Sequence, residues 1–396
     1  MPRLASTRRH PESGVRPLVV HVIDELKVGG AQTHLATVLT ESVRALPYVR
    51  HRVLSLFGDG PIGRQIREMG IDVDVLDLRP HFAQGRFGPA AAELRQRFRR
   101  LRPQVVEAHL TWSRLLGLYA AWRAGVPVRI GFEQGDIYLR SWKFRAANYL
   151  GQVFARRIIA CSRALAEWDR RTYGFSSRRL VVMPNCIEPS RFGPEAGSIS
   201  PVALGLPEGN LAFAAVGTLG HGVDKRTDIL VRAIAAARAR GAPVGLIVCG
   251  DGKRRVGLEA LADALGVGAF VRFLGTRDDV PRVLAGCDAF CHAAPFEPFG
   301  IACIEAMASG LPVIVPDSGG IREVVEPGVT GLVYPPLDVA RLADAMQALH
   351  DDPALRGAMG HSARRAAISQ YSVQGYVRRL HGLYGLGDPR SEEAHR

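Results

Sequence analysis

The chain has 396 residues, enough for two domains of ordinary size, with 47% hydrophobic residues and a formal net charge of +13. Its basicity is almost wholly arginine, since the only lysines are Lys27, Lys143, Lys225 and Lys253; such a surface suits an anionic membrane face or a phosphorylated substrate. No zinc finger, recognition helix or aromatic-interleaved basic motif appears, which excludes nucleic acid as the expected partner, and no apolar run reaches the ~18 residues of a membrane-spanning helix.

Residues 1–16 are polar and rich in Pro and Arg, without the apolar core of a signal peptide. They read as a tail, and the chain is expected in the cytoplasm, at most peripheral on the inner face of the membrane. From 17 to 190, apolar runs at 18–23, 52–56, 73–76, 105–108, 128–131, 158–161 and 180–183 read as strands, with helical stretches at 31–44, 89–100 and 114–124 between them. This α/β alternation predicts a doubly wound parallel sheet. Residues 185–210 are rich in Pro, Gly and Ser and carry no period, so a linker crosses a domain boundary near 190. A second alternation fills 191–368, with strands at 211–216, 244–249, 270–273, 289–292, 312–315 and 331–334 and helices at 227–240, 257–265 and 339–349. Two such Rossmann-like domains face each other across a cleft lined by the carboxyl edges of their strands. Within 369–386, Val373, Tyr376, Val377, Leu380, Leu383 and Tyr384 form one helical stripe with no partner left in its own domain. That helix is expected to return to the first domain, and 387–396 reads as a polar tail. Cys161, Cys186, Cys249, Cys287, Cys291 and Cys303 form no C-x-x-C pair and read as small buried thiols, not metal ligands.

The chemistry concentrates in Pro295-Phe296-Glu297-Pro298-Phe299-Gly300-Ile301, which runs on through Glu305 to Gly310. Glu297 falls on a loop before a helix of 301–309, and Glu305 falls more than one turn inside it. Backbone N–H groups from Phe299 to Ala302 offer a seat for an anion, and a carboxylate beside that seat suits a polyol. Anion plus polyol points to a sugar nucleotide. Gly29-Gly30-Ala31-Gln32 follows the first strand and opens a helix, which allows close backbone approach to a phosphate or sugar. It lacks the spacing of a dinucleotide fingerprint. His109 ends the strand at 105–108 and can hydrogen-bond a sugar hydroxyl. A Gly-rich segment from Gly217 to Gly222 followed by Lys225 suits a diphosphate. Gly250-Asp251-Gly252 and Ser318-Gly319-Gly320 end two further strands on the same edge. Asp72-Val73-Asp74 has the form of a metal-binding triplet but alternates with Ile71, Val73 and Val75 as an edge strand does.

These residues resemble the retaining glycosyltransferases of family 4, with the two-domain GT-B fold. The resemblance runs from Leu18 to about Tyr384. It is most specific from Glu297 to Gly310 and Leu311-Pro312-Val313-Ile314, with support from Val106-Glu107-Ala108-His109-Leu110, Met183-Pro184-Asn185 and Gly328-Val329-Thr330-Gly331. It implies transfer of a sugar from a nucleoside diphosphate sugar, a UDP- or GDP-sugar, to a glycan or lipid-linked hydroxyl acceptor, in bacterial polysaccharide or glycolipid synthesis. By the same resemblance Glu297 contacts the transferred sugar and His109 sits over it. Glu305 binds the ribose, Lys225 neutralises the diphosphate, and Phe299, Gly300 and Ile301 hold sugar hydroxyls. Gly29 and Gly30 reach the diphosphate and Gln32 lies on the acceptor side, with no metal and no other cofactor required. The chain departs from the family at Gly217-Thr218-Leu219, where many members carry Gly-Arg-Leu; either Lys225 and the helix dipoles suffice, or Arg226 or another arginine substitutes. Epimerases or phosphorylases of the same fold, and a non-catalytic sugar-nucleotide-binding homologue, are the rival classes. Arg86, Arg95, Arg97, Arg99, Arg100 and Arg102, with Arg140, Lys143 and Arg145 beside Trp142 and Phe144, are the expected contacts with an anionic membrane.

Overall fold

The computed structural model describes residues 16–135, 142–193, 197–220 and 225–386. The expected tails, apart from Arg16, lie outside the described residues, as does Arg140 of the basic group.

The first half forms a parallel sheet of seven strands: β1 (Leu18–Glu25), β2 (Arg50–Gly58), β3 (Asp72–Val75), β4 (Val105–His109), β5 (Val128–Glu133), β6 (Arg157–Ala160) and β7 (Leu180–Val182). Their order is β3-β2-β1-β4-β5-β6-β7. The near-continuous apolar character of β1 and β4 follows from helices covering both faces. The order reverses between β1 and β4, which pair in register as His21 with Glu107 and Ile23 with His109.

The second half repeats the plan with six parallel strands: β8 (Leu211–Val216), β9 (Val244–Cys249), β10 (Val271–Phe273), β11 (Ala289–Cys291), β12 (Val313–Pro316) and β13 (Gly331–Tyr334). Their order is β10-β9-β8-β11-β12-β13, so the reversal falls between β8 and β11. In open parallel sheets the crevice outside such a reversal is where ligands bind. The chain therefore builds two crevices.

The helix Val373–Tyr384 leaves the second domain and lies on the first. Its Val373, Tyr376, Val377, Leu380 and Tyr384 share one core with Val19, Val38, Val105, Ile130, Phe132 and Ile159. The crossing is pinned by Val373 N–H donating to Ile187 O at 2.9 Å and Tyr384 OH donating to a Glu107 oxygen at 2.7 Å.

Two local differences from the expected elements have clear causes. The helix at 114–124 begins as a wide π turn over Ser113–Gly117, held where the Asp24 carboxylate accepts from Ser113 N–H and Oγ–H. The long helix Pro353–Gln370 carries no large apolar stripe, because it buries Met359, Gly360, Ala363 and Ala367 against a near neighbour. A Cβ on Gly360 would stand 2.2 Å from Gly310 O, so small residues mark close packing that a hydrophobic period does not reveal.

Candidate active site

Glu297 lies between β11 and the helix Ile301–Ala308, at the reversal of the second sheet. Its loop is fixed from behind. Glu297 O accepts from Gly320 N–H at 2.8 Å and Ile321 N–H at 3.2 Å, and Ser318 Oγ–H donates to Pro295 O. Gly319 adopts φ 64°, and a Cβ there would meet Glu297 O at 2.6 Å; one on Gly320 would meet Pro298 O at 1.8 Å. The Ser318 hydroxyl and the Gly319-Gly320 backbone thus form a clamp, and its two glycine positions admit no side chain.

The Glu297 side chain is 11% exposed, and one oxygen, Oε2, carries two partners: Lys225 Nζ at 2.5 Å and His292 Nε2 at 3.3 Å. Burial pushes the carboxyl up, but the Lys225 charge and the His292 contact outweigh it and hold the group well below the usual carboxylate range. Glu297 is therefore a fixed anion. Lys225 reaches it from the segment after β8, lying over Gly217, where a Cβ would press on Lys225 Cγ at 3.2 Å.

Gly300, at φ 93°, caps the helix Ile301–Ala308, and the first N–H groups of that helix have no acceptor within it. Glu305 sits on the helix, partly buried. Desolvation pushes its carboxyl up to about 7, with Arg191 acting in the opposite sense. Phe299 is buried against Tyr371 and serves packing, while Ile301 faces the other domain. There Gly30 opposes it: a Cβ on Gly30 would lie 3.9 Å from Ile301 Cδ1. The glycine turn of the first domain and the helix start of the second thus meet across the cleft.

Further contacts fix this juxtaposition. The Glu323 carboxylate accepts from Arg163 N–H at 3.0 Å and Ala164 N–H at 2.6 Å, capping a first-domain helix, Arg163–Tyr173, from the second domain. A Cβ on Gly135, after β5, would overlap Pro298. Glu323 and Gly135 carry no local motif, so sequence reasoning missed them.

Two expected residues are placed differently. Gln32 folds back to donate to Glu25 O at 3.2 Å and fills the space beside Gly29. His109 ends β4 but is 2% exposed, stacked on Phe132 at 4.4 Å, with Nε2 3.8 Å from Glu107 Oε2. Burial pulls His109 down to about 3, against the opposing pull of Glu107, so it is neutral at working pH. It joins a polar core in which His21 Nδ1 lies 2.9 Å from the same Glu107 oxygen. His21, Glu107 and His109 stand close enough to share a cation, with donor atoms within 4.8 Å of one another. Glu107 is already engaged by His21 and Tyr384, which accounts for the cluster as a hydrogen-bonded core under the returning helix. Leu110, next in line, takes φ 70°, a strained turn for a branched side chain.

Arg226, one candidate for the missing cation, is held by Asp228 through two contacts of 3.0 and 2.9 Å. Asp72 and Asp74 lie on edge strand β3 and are both paired with Arg52. His292 is the site residue that sequence reasoning missed. It stands only five residues before Glu297, but a single histidine at the end of an apolar strand reads as part of the strand, and it is the turn between them that faces its ring to the carboxylate.

Comparison with known proteins agrees with this geometry. Residues 28–191 match Glycosyltransferase Family 4, and residues 199–366 match Glycosyl transferases group 1. The chain belongs to the family 4 glycosyltransferases. It is 32% identical over 259 residues to a D-inositol 3-phosphate glycosyltransferase of Salinispora arenicola, covering 58% of this chain and 57% of that one. It is 29% identical over 163 residues to an alpha-D-kanosaminyltransferase of Streptomyces kanamyceticus, covering 41% and 42%. The match thus spans about half the length of these curated relatives. The GT-B fold is shared with the Anabaena HepE protein solved with UDP and glucose, at a TM-score of 0.79 and 23% identity over 93% of this chain and all of that one.

Proposed function

We propose that this glycosyltransferase-family chain transfers a sugar from a UDP- or GDP-sugar to a hydroxyl acceptor, with retention at the anomeric carbon and without a metal ion. The observation that carries the reading is the fixed Glu297 anion with Lys225 at 2.5 Å, at the reversal of the second sheet and opposite Gly30. A diphosphate entering that crevice competes for the Lys225 charge and takes the N–H groups at the start of the helix Ile301–Ala308. Glu297 then accepts a hydrogen bond from a hydroxyl of the sugar, and Glu305 accepts from the ribose. His109, neutral and buried, contributes from beneath the sugar and not as a charged acid. In the reaction the bond from the anomeric carbon to the leaving phosphate oxygen breaks on the face where the acceptor oxygen bonds. The acceptor proton passes to that phosphate oxygen.

The test is a panel of nucleotide sugars read by thermal stabilisation and donor hydrolysis, followed by NMR assignment of the product anomer. Inversion would discard the retaining reading, and loss of rate in EDTA with recovery on Mn²⁺ would discard metal independence. A bound pyridoxal chromophore would favour the phosphorylase alternative, and donor binding without turnover the non-catalytic one.

The acceptor is proposed to be glycan or lipid-linked, presented at an anionic membrane in bacterial polysaccharide or glycolipid synthesis. The support is a helix face on Trp142–Val153, where Trp142 is 74% exposed and Tyr149, Leu150 and Val153 are exposed with it. Exposed Arg145 and Arg156 flank the face. An apolar face rimmed by arginine suits a lipid interface. Co-sedimentation with anionic but not neutral liposomes at low salt is the expected result.

A further inference from the structure

We infer that His292 is a positioning residue of the donor site, holding Glu297 in place when a bound diphosphate draws Lys225 away. This rests on the reading of Lys225 as the diphosphate cation.

Both Lys225 Nζ and His292 Nε2 bear on the same oxygen of Glu297, and this leaves Oε1 for a sugar hydroxyl. The two partners differ in freedom. Lys225 reaches in on a four-carbon stem and is 26% exposed. His292 is 5% exposed and its backbone is tied twice, N–H to Ile314 O at 3.0 Å and O from Tyr334 OH at 2.9 Å. When Lys225 turns to a diphosphate, a nearly buried carboxylate loses its principal counter-charge, and such a charge left alone is strongly unfavourable. Among the described residues, His292 is the remaining group within contact of it.

The exchange also has a proton consequence. In the free protein burial holds His292 below its ordinary range, with Glu297 pulling it up and Lys225 pushing it down. Moving Lys225 onto an anion removes the downward push and adds negative charge nearby, so the imidazole gains a proton and becomes the partner ion. The other titratable groups packed around the pair are Tyr334, Cys291, Cys303 and Cys161. All are raised by burial and stay protonated. Two other groups can exchange a proton: Glu305, near 7, in the opposite sense if ribose binding favours its anion, and the terminal phosphate of the nucleotide, whose contribution is common to the variants and cancels in their difference.

The experiment uses the full chain, with UDP and GDP as binding probes and whichever nucleotide sugar the panel turns over. Calorimetry in phosphate and Tris at pH 7.5 counts the protons exchanged on nucleotide binding, in a Glu305→Gln background to remove the Glu305 contribution. Proton uptake over and above the phosphate contribution is expected in that background and is lost in both His292→Ala and His292→Gln. Turnover separates the two variants. His292→Ala lowers kcat by about 10–100-fold with KM little changed, as misplacement of a contact group does. His292→Gln, which keeps an N–H at similar reach, recovers most of it. Equal proton uptake in the presence and absence of His292, or wild-type kcat in His292→Ala, overturns the inference. So does a His292→Gln as impaired and as thermally unstable as His292→Ala, which marks a merely structural side chain. Lys225→Ala keeps the two failures apart. If it retains nucleotide affinity, the donor-site reading falls; if it loses affinity while His292→Ala changes neither readout, only the His292 inference falls.

Discussion

The two sheet reversals are built on one plan and filled with opposite chemistry. At the second, between β8 and β11, ionisable groups converge: the nearly buried Glu297, the partly exposed Lys225 and, on the next helix, Glu305. At the first, between β1 and β4, the polar groups are sealed under the helix Val373–Tyr384, and His34, His51 and His109 are all held neutral by burial. The comparison teaches a division of labour. On the proposed reading, the second half carries the charges that meet a charged donor, and the first half supplies a buried wall, built of neutral histidines around the Glu107 carboxylate, with a glycine turn at its lip. Glycines differ in the same way. Those of the second crevice, Gly319 and Gly320, clamp the Glu297 loop, whereas Gly30 of the first opens a face toward Ile301.

The largest expected effect tests that division directly. Glu297→Gln keeps the shape and removes the anion, and is expected to lower kcat by about 10²–10³-fold, the scale of losing one preorganised electrostatic contact at a reacting centre. His109→Asn at the first reversal is expected to cost less than about 10-fold, because its ring is buried and uncharged. Steady-state kinetics of the two variants side by side is the check. Equal losses would put the two reversals on one footing and end the comparison.

Acid should break the first half before the second. A histidine whose pKa is lowered in the folded state binds its proton more readily when unfolded, so stability is full above about 6.5 and is lost as pH falls below it. His34 is lowered to about 4 and His51 and His109 to about 3, with burial the main cause in each. Between pH 6.5 and 5 each contributes a loss on the order of 2 kcal/mol. The four tryptophans, Trp112, Trp122, Trp142 and Trp168, all lie in the first half. Intrinsic fluorescence therefore reports that half alone, and its transition is expected to move to lower temperature ahead of the far-UV signal. Coincident transitions at pH 5 would count against a selectively acid-labile wall.

How much of this was legible in the sequence depends on whether a residue works through its neighbours in the chain or in space. Strands announced themselves because a parallel strand is apolar on both faces, and each expected strand has a counterpart within a few residues among β1 to β13. Glu297, Gly300 and Glu305 were visible because a loop carboxylate, a turn glycine and a helical carboxylate are close in sequence. Glu323 was not, since it caps a helix that only tertiary folding brings near; His292, five residues before Glu297, was hidden because it ends an apolar run that reads as strand, and nothing in the run says which way its ring turns. Gln32 was named for the acceptor side only through the family resemblance; its side chain here donates to Glu25 O, a contact its neighbours in the chain do not announce.

Glu305 sharpens the comparison from the charged side. Its folded carboxyl sits near 7, above the ordinary 4.5, because burial outweighs Arg191. The folded state therefore holds the proton more tightly than the unfolded one, and stability declines as pH rises from 4.5 through 7. Glu305→Gln removes that decline. The variant is expected to melt higher than the parent at pH 8, by a difference of about 1–3 kcal/mol that vanishes near pH 4.5. It should also bind UDP or GDP more weakly, since an amide is a poorer acceptor for ribose hydroxyls. A gain in stability without any loss of nucleotide affinity would remove Glu305 from the donor site while leaving its burial intact.

The effect most confined to one place belongs to the helix that seals the first reversal. Tyr384 donates to Glu107 Oε1 at 2.7 Å, and both groups are buried. Tyr384→Phe preserves the ring and its packing beside Val377 and Leu380 but leaves one carboxylate oxygen without its donor. The cost of such a loss is about 1–3 kcal/mol, and it should fall on the first half, because Glu107 stands in the middle of that sheet. The tryptophan transition is thus expected to drop in temperature while nucleotide affinity at the second reversal stays within about twofold, a change of about 0.4 kcal/mol, because the lost bond lies in the other sheet. Glu107→Gln combined with Tyr384→Phe should cost less than the sum of the two, because the pair shares one hydrogen bond. Additive losses would show that the hydroxyl and the carboxylate stabilise the wall separately. The returning helix would then be held by its apolar stripe alone.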